Sequence, residues 1–197
     1  MRQLFWMITL LLSASFSKAH ASTEAADGGF LAGVLHPVLG FDHLLAMVAV
    51  GLLSVQMGGR AIWSVPMAFV LVMALGGAIG LQGTALPHVE GVIALSVFAL
   101  GFVIALSARP QTFLGMAFVG FFALFHGHAH GAEIPRLAEP AAYVGGFMLA
   151  TAALHVMGVL IGELCRMFPN PAATRALLGA GVAGVGAHML LLSYGIV

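Results

Sequence analysis

Charge is almost absent from this sequence. Charged side chains make up 7% of its 197 residues, against about 25% in soluble domains, while hydrophobic residues reach 61%. So few ionic groups cannot cover a water-facing surface, which excludes a soluble globular protein. A formal net charge of zero likewise leaves no basic face for nucleic acid. Cysteine occurs once, at Cys165, so no internal disulfide can form and thiolate metal chemistry lacks its ligands; the residue reads as a small helix side chain. No Gly-x-x-x-x-Gly-Lys-Ser/Thr phosphate loop, Gly-x-Ser-x-Gly element or His-Glu-x-x-His element occurs. ATP-driven pumping and the commoner hydrolase chemistries therefore lack their parts. No tightly bound cofactor is expected, and 197 residues leave no room for a separate soluble energy-coupling domain.

What the chain has instead is long apolar runs. Arg2, the stretch Leu4 to Leu12 and the small residues ending Ser17-Lys18-Ala19-His20-Ala21-Ser22 read as a cleavable signal peptide over 1–21. Its apolar core is too short to span a bilayer, and the small-x-small rule is met by cleavage after Ala19 or after Ala21. Residues 22–197 then form one domain with six apolar segments at about 30–57, 61–81, 89–108, 111–128, 140–164 and 173–195. Gly58-Gly59-Arg60, Gly83 to Pro87, Arg109-Pro110, Ile134 to Pro140 and Pro169-Asn170-Pro171 punctuate them. The expected fold class is all-α: a polytopic membrane protein, a bundle of six transmembrane helices in contact with lipid. An exported N-terminus places Arg60, Arg109, Arg166 and Arg175 on the cytoplasmic side of the bacterial inner membrane, and leaves only Arg136, flanked by Glu133 and Glu139, outside. The mature N-terminus is thus expected in the periplasm.

Glycine pairs Gly76/Gly80 and Gly158/Gly162, and the series Gly179, Gly181, Gly184 and Gly186, supply small helix faces. Close packing within the bundle is the reading favoured over a homo-oligomer interface, since any polytopic protein needs the former. The scattered methionines read as gap-filling and lipid-facing residues, because none cluster at ligand spacing.

Two clusters carry the chemistry. His36 and His43 are seven apart, within about 20° on an ideal helix. Pro37 and Gly40 between them predict a kinked or partly unwound segment, which could aim Asp42, the imidazoles and freed carbonyls at an ion. The alternative is a hinge in which Asp42 merely satisfies backbone amides. Further along, His126, His130 and Glu133 fall within roughly 60° of one another if the helix continues that far, while His128 points away. Two imidazoles and a carboxylate suit a borderline divalent metal such as Ni, Co, Zn or Cu(II), not Mg or Ca. A straight first span would put His36 about 9 Å and His43 about 18 Å below its start, and His126 to Glu133 at the outer end of the fourth span. Both clusters then face the outer half of the membrane and form a funnel towards its middle, with His126, His130 and Glu133 capturing the ion and His36, Asp42 and His43 receiving it.

His88 and Glu90 start the third span on that side, where an interfacial helix start competes with a place on the ion path. Lone His155 and His188 are expected to be hydrogen-bonded core residues, His155 with Thr151 one turn away. Glu163 and Arg166 read as a surface pair.

At these residues the chain resembles the HupE/UreJ family of nickel permeases. That family's His-x5-Asp-His signature matches His36, Asp42 and His43, and its Phe-His-Gly-x-x-His-Gly-x-Glu signature matches Phe125, His126, Gly127, His130, Gly131 and Glu133. The resemblance implies a secondary transporter that takes up Ni²⁺, or Co²⁺, for hydrogenase or urease maturation. It also implies that the protein is not an enzyme. The rival readings are an intramembrane zinc enzyme and a non-transporting metal sensor or metallochaperone, either of which would bind metal without flux. Because ligating imidazoles must be neutral, capture is expected to weaken as pH falls through about 6.5.

Overall fold

The computed structural model describes residues 29–134 and 139–196. The leader with its cleavage sites, and Arg136, lie outside the described residues. Every regular element among the described residues is helical: α1 (Phe30–Leu39), α2 (Phe41–Met57), α3 (Ala61–Leu81), α4 (Val89–Ala105), α5 (Thr112–Glu133), α6 (Pro140–Leu164) and α7 (Pro171–Ser193), with a 3-10 turn at Cys165–Met167. The protein is an all-helical membrane bundle. Four helices, α3, α5, α6 and α7, are long and apolar enough to cross a bilayer, and the bent pair α1 and α2 qualifies as a fifth span. The sixth expected span is shorter than its apolar run, since α4 has 17 residues and ends at Ala105. Ser107, at φ 53°, turns the chain there before Arg109-Pro110 can be reached.

The break in the first span falls where the sequence places it, but it is sharp. Gly40 leaves the helical region with ψ 101°, its N–H still bonded to His36 O, and α1 and α2 meet at 80°. Residues 30–39 consequently add almost nothing to the depth reached along α2. The straight-span arithmetic for His36 and His43 therefore fails: His43 sits in the first turn of α2, not 18 Å along a continuous rod.

Backbone-to-backbone packing at glycine sets the helix arrangement. A Cβ at Gly51 or Gly158 would strike the facing backbone at the α2–α6 contact, and one at Gly76, Gly80, Gly127 or Gly131 would do so between α3 and α5. Contacts advance in step along both of these pairs, so each is parallel. On α4 and α7 they run in opposite directions, Gly179 lying near Ala105 and Gly186 near Phe98. Six spans of alternating direction require this combination: first parallel to fifth, second to fourth, third antiparallel to sixth. Gly76, Gly80, Gly158, Gly162, Gly179 and Gly186 all serve contacts within the bundle, whereas Gly181 and Gly184 have open space beside them. α2 runs through the centre, burying Met47, Val50 and Leu53 completely. α3 turns Trp63, Met67, Leu71 and Leu75 outward at four-residue spacing, the stripe of a helix facing lipid.

Candidate metal-binding site

Asp42 and His43 open α2, and their chemistry begins with that position. Asp42 Oδ1 accepts both the His43 backbone N–H at 2.8 Å and the His43 Nδ1–H at 2.7 Å. A carboxylate is favourable at this helix start because the free amides and the dipole present positive charge there. Its second consequence is orientation. With Nδ1–H held by the carboxylate, the lone pair of His43 lies on Nε2, the carboxylate–imidazole arrangement that raises ligand basicity and fixes the ring in metal sites.

That lone pair faces α5. His43 Nε2 lies 2.7 Å from His130 Nε2, so His130 Nε2–H donates to it. His130 and His126 point the same way because four residues bring a helix round to the same face. The His126 ring centroid is 4.9 Å from that of His43. His36, on the last turn of α1, packs edge-on against His130 with centroids 4.5 Å apart. The 80° break is what permits this, turning α1 back over the start of α2 while Gly33 and Gly146 let α1 lie against α6.

The two motifs thus interleave into one group of four imidazoles instead of standing as capture and transfer stations in series. From His36 and His130 the rings continue through His43 to His126, which is wholly buried. His126 is the innermost member, not part of an outer pair. Glu133 is the last residue of α5; its side chain lies outside the described residues. His128 faces away, as its spacing predicts, and its Nε2–H donates to the Thr84 carbonyl of the α3–α4 loop. His88 and Glu90 are exposed at the start of α4, with His88 in the left-handed region at φ 56°.

Two lone histidines depart from expectation. His188 is exposed on α7, because that helix buries Gly179, Ala183 and Gly186, and a residue two beyond Gly186 points to the opposite side. His155 is buried, but neither of its ring nitrogens, nor the Thr151 hydroxyl, has a hydrogen-bond partner. Glu163 and Arg166 form the expected exposed pair at 2.9 Å, and Cys165 is buried.

Sequence reasoning missed Ser96. Its hydroxyl donates to Ile93 O at 2.6 Å, leaving its oxygen to accept the His126 Nε2–H at 3.0 Å. The His126 lone pair is therefore on Nδ1, a buried atom without a hydrogen-bond partner. Tyr143 and Phe147, one turn apart on α6, complete the wall around His36 and His130, with Phe147 centred 4.2 Å from the His130 ring. Beside them an apolar cavity of about 230 Å³ opens between α3, α5 and α6, touched by His130.

Among the described residues, no three histidine, cysteine or carboxylate side chains form a ready-made ligand set for one metal ion. Two nitrogens on a tetrahedral ion at 2.0–2.1 Å would lie about 3.3 Å apart. The 2.7 Å separation of His43 and His130 is that of a hydrogen bond, and a cation there would part the rings by roughly half an ångström. All the same, imidazole nitrogens backed by a carboxylate are donors of the borderline-metal class.

The HupE / UreJ protein family model matches residues 8–189. The chain belongs to the HupE/UreJ family. It is 45% identical over 183 residues to Protein HupE of Rhizobium leguminosarum bv. viciae, covering 93% of this chain and 95% of that one. No solved structure matches. Both histidine motifs on which the HupE/UreJ resemblance was drawn contribute to the imidazole group.

Proposed function

We propose that this HupE/UreJ protein is a permease for Ni²⁺, with Co²⁺ as a second cargo of the same chemistry, working in the inner membrane with its mature N-terminus in the periplasm. The metal it admits would supply hydrogenase or urease maturation. The observation that carries this reading is the group formed by His36, His43, His126 and His130: four imidazoles drawn from segments almost ninety residues apart, His43, His126 and His130 buried among apolar helices and His36 half-buried at their edge, with His43 aimed by Asp42. Ionisable side chains inside a membrane bundle are costly to place and mark ion paths. An ion that must leave again needs weak or incomplete ligation. A group that surrounds no single point suits that better than a closed shell would.

On this reading the ion meets His36 and His130 beside the aromatic wall, opens the hydrogen bond between the two Nε2 atoms so that the His43 lone pair takes the ion while the proton stays on His130, and is passed by His43 to Nδ1 of His126. Reconstituted vesicles test it. Radiolabelled Ni²⁺ should accumulate inside, Co²⁺ should compete, and His36→Ala and Asp42→Ala should abolish accumulation. Saturable binding without flux would instead indicate a sensor or an enzyme, and uptake by both variants at the unmutated rate would remove the imidazole group from the path.

A further inference from the structure

Below the four imidazoles the core contains one more. His155 is 2% exposed and Thr151 is wholly buried; they stand one turn apart on the same face of α6, and neither ring nitrogen nor the hydroxyl has a hydrogen-bond partner. A structural histidine in an apolar core is ordinarily hydrogen-bonded, because unpaired buried polar atoms are costly. Thr151 is close enough in sequence to satisfy it and does not. Three polar atoms are thus held ready on one helix face without a protein partner.

Their location extends the ring series. Phe69 of α3, fully buried, is centred 5.6 Å from His126 and 5.1 Å from His155, so one phenyl ring separates the two imidazoles. Phe147 touches His130 and fixes a common level for α5 and α6. From that level His126 lies four residues inward on α5, about 6 Å, and His155 eight residues inward on α6, about 12 Å. The steps are equal, and each ends at an imidazole.

We propose that His155 is an inner holding station for a borderline divalent cation, which it takes on a ring nitrogen with the Thr151 hydroxyl alongside, one step past Phe69 from His126. The inference rests on the permease reading for its role in flux, though not for the binding itself. One imidazole and one hydroxyl make a weak site, completed by water carried with the ion, and a weak site is what an ion leaving towards the far side requires.

The test uses the full-length protein. His155→Phe substitutes an apolar ring for the unpaired imidazole and should be at least as thermally stable; Ni²⁺ binding at the outer group should stay within twofold while vesicle uptake falls tenfold or more. In a second variant, His155→Cys, bound Co²⁺ should show a near-ultraviolet thiolate-to-cobalt charge-transfer band. That band should be absent from His155→Ser and from the unmutated protein, whose Cys165 provides the baseline. Uptake by His155→Phe at the unmutated rate overturns the proposal, as does the lack of a new band in His155→Cys that binds Co²⁺ normally. Should the unmutated protein move no metal while the band still appears, the permease reading fails and the inner site stands.

Discussion

The Nε2 atoms of His43 and His130, 87 positions apart in the sequence, lie 2.7 Å from each other inside the bundle. One proton occupies the space between two potential metal donors. Asp42 decides its ownership, since the carboxylate takes the Nδ1–H of His43 and leaves His130 as the donor. A cation arriving here competes with a hydrogen bond and not with a void, which keeps the donors paired between passages and makes metal capture an exchange.

Asp42→Asn keeps the shape of the side chain but removes the charge that orients and polarises His43. Losing such an outer partner typically costs 10–100-fold in metal affinity or activity. The apparent KM for Ni²⁺ uptake should rise by about that factor. An unchanged KM would show that His43 needs no carboxylate.

Ser96→Ala leaves the buried His126 Nε2–H without an acceptor. Thermal unfolding of the purified protein should show a loss of about 1–3 kcal/mol, the cost of orphaning a buried donor. Uptake should fall as well, because His126 is then free to turn its lone pair away. Combining Ser96→Ala with His126→Ala should destabilise the protein no further than His126→Ala does; additive losses of stability would assign Ser96 a separate role.

The three histidines of the second motif should separate cleanly. His126→Ala and His130→Ala should each abolish Ni²⁺ uptake, whereas His128→Ala, which removes a buried ring bonded to the Thr84 carbonyl and turned away from the imidazole group, should retain most of it. Initial uptake rates at equal protein levels decide this, and a His128→Ala loss as deep as the other two would contradict the geometry.

Glycines at the α3–α5 contact should be intolerant where others are not. A Cβ at Gly127 would collide with the Met73 backbone carbonyl and one at Gly131 with that of Gly77, while Gly145 and Gly181 have open space. Overpacking of this kind costs about 1–3 kcal/mol or more. Melting of detergent-purified Gly127→Ala and Gly131→Ala should show it, with Gly145→Ala and Gly181→Ala melting as the unmutated protein does.

Much of this was legible in the sequence because the chain marks its own helix ends. Pro140 and Pro171 each begin a helix, and Pro37 with Gly40 announced a break. The angle of that break was not legible, since it depends on α1 folding back over α6 through Gly33 and Gly146, and the depth assigned to His43 was wrong for that reason. Local spacing placed His126 and His130 on one face and His128 on the other, because four residues nearly complete a turn and two do not. Ser96 was hidden because a serine within an apolar helix looks like any small packing residue; only its position beside a ring 30 residues away gives it a task. His155 and His188 look alike as isolated histidines in apolar runs, yet one lies in the core and the other on the surface. Which side of a helix meets its neighbours was settled by glycine contacts that no single-helix pattern reveals.

Glycine-lined contacts join α2 to α6 and α3 to α5 with backbone against backbone, and such joints have no side chains to flex. Each pair is in effect one plank. His43 and His155 are fixed to the first plank, and Phe69, His126 and His130 to the second. The imidazoles consequently straddle the seam between two stiff bodies, and any sliding along that seam changes every imidazole distance that crosses it in a single stroke.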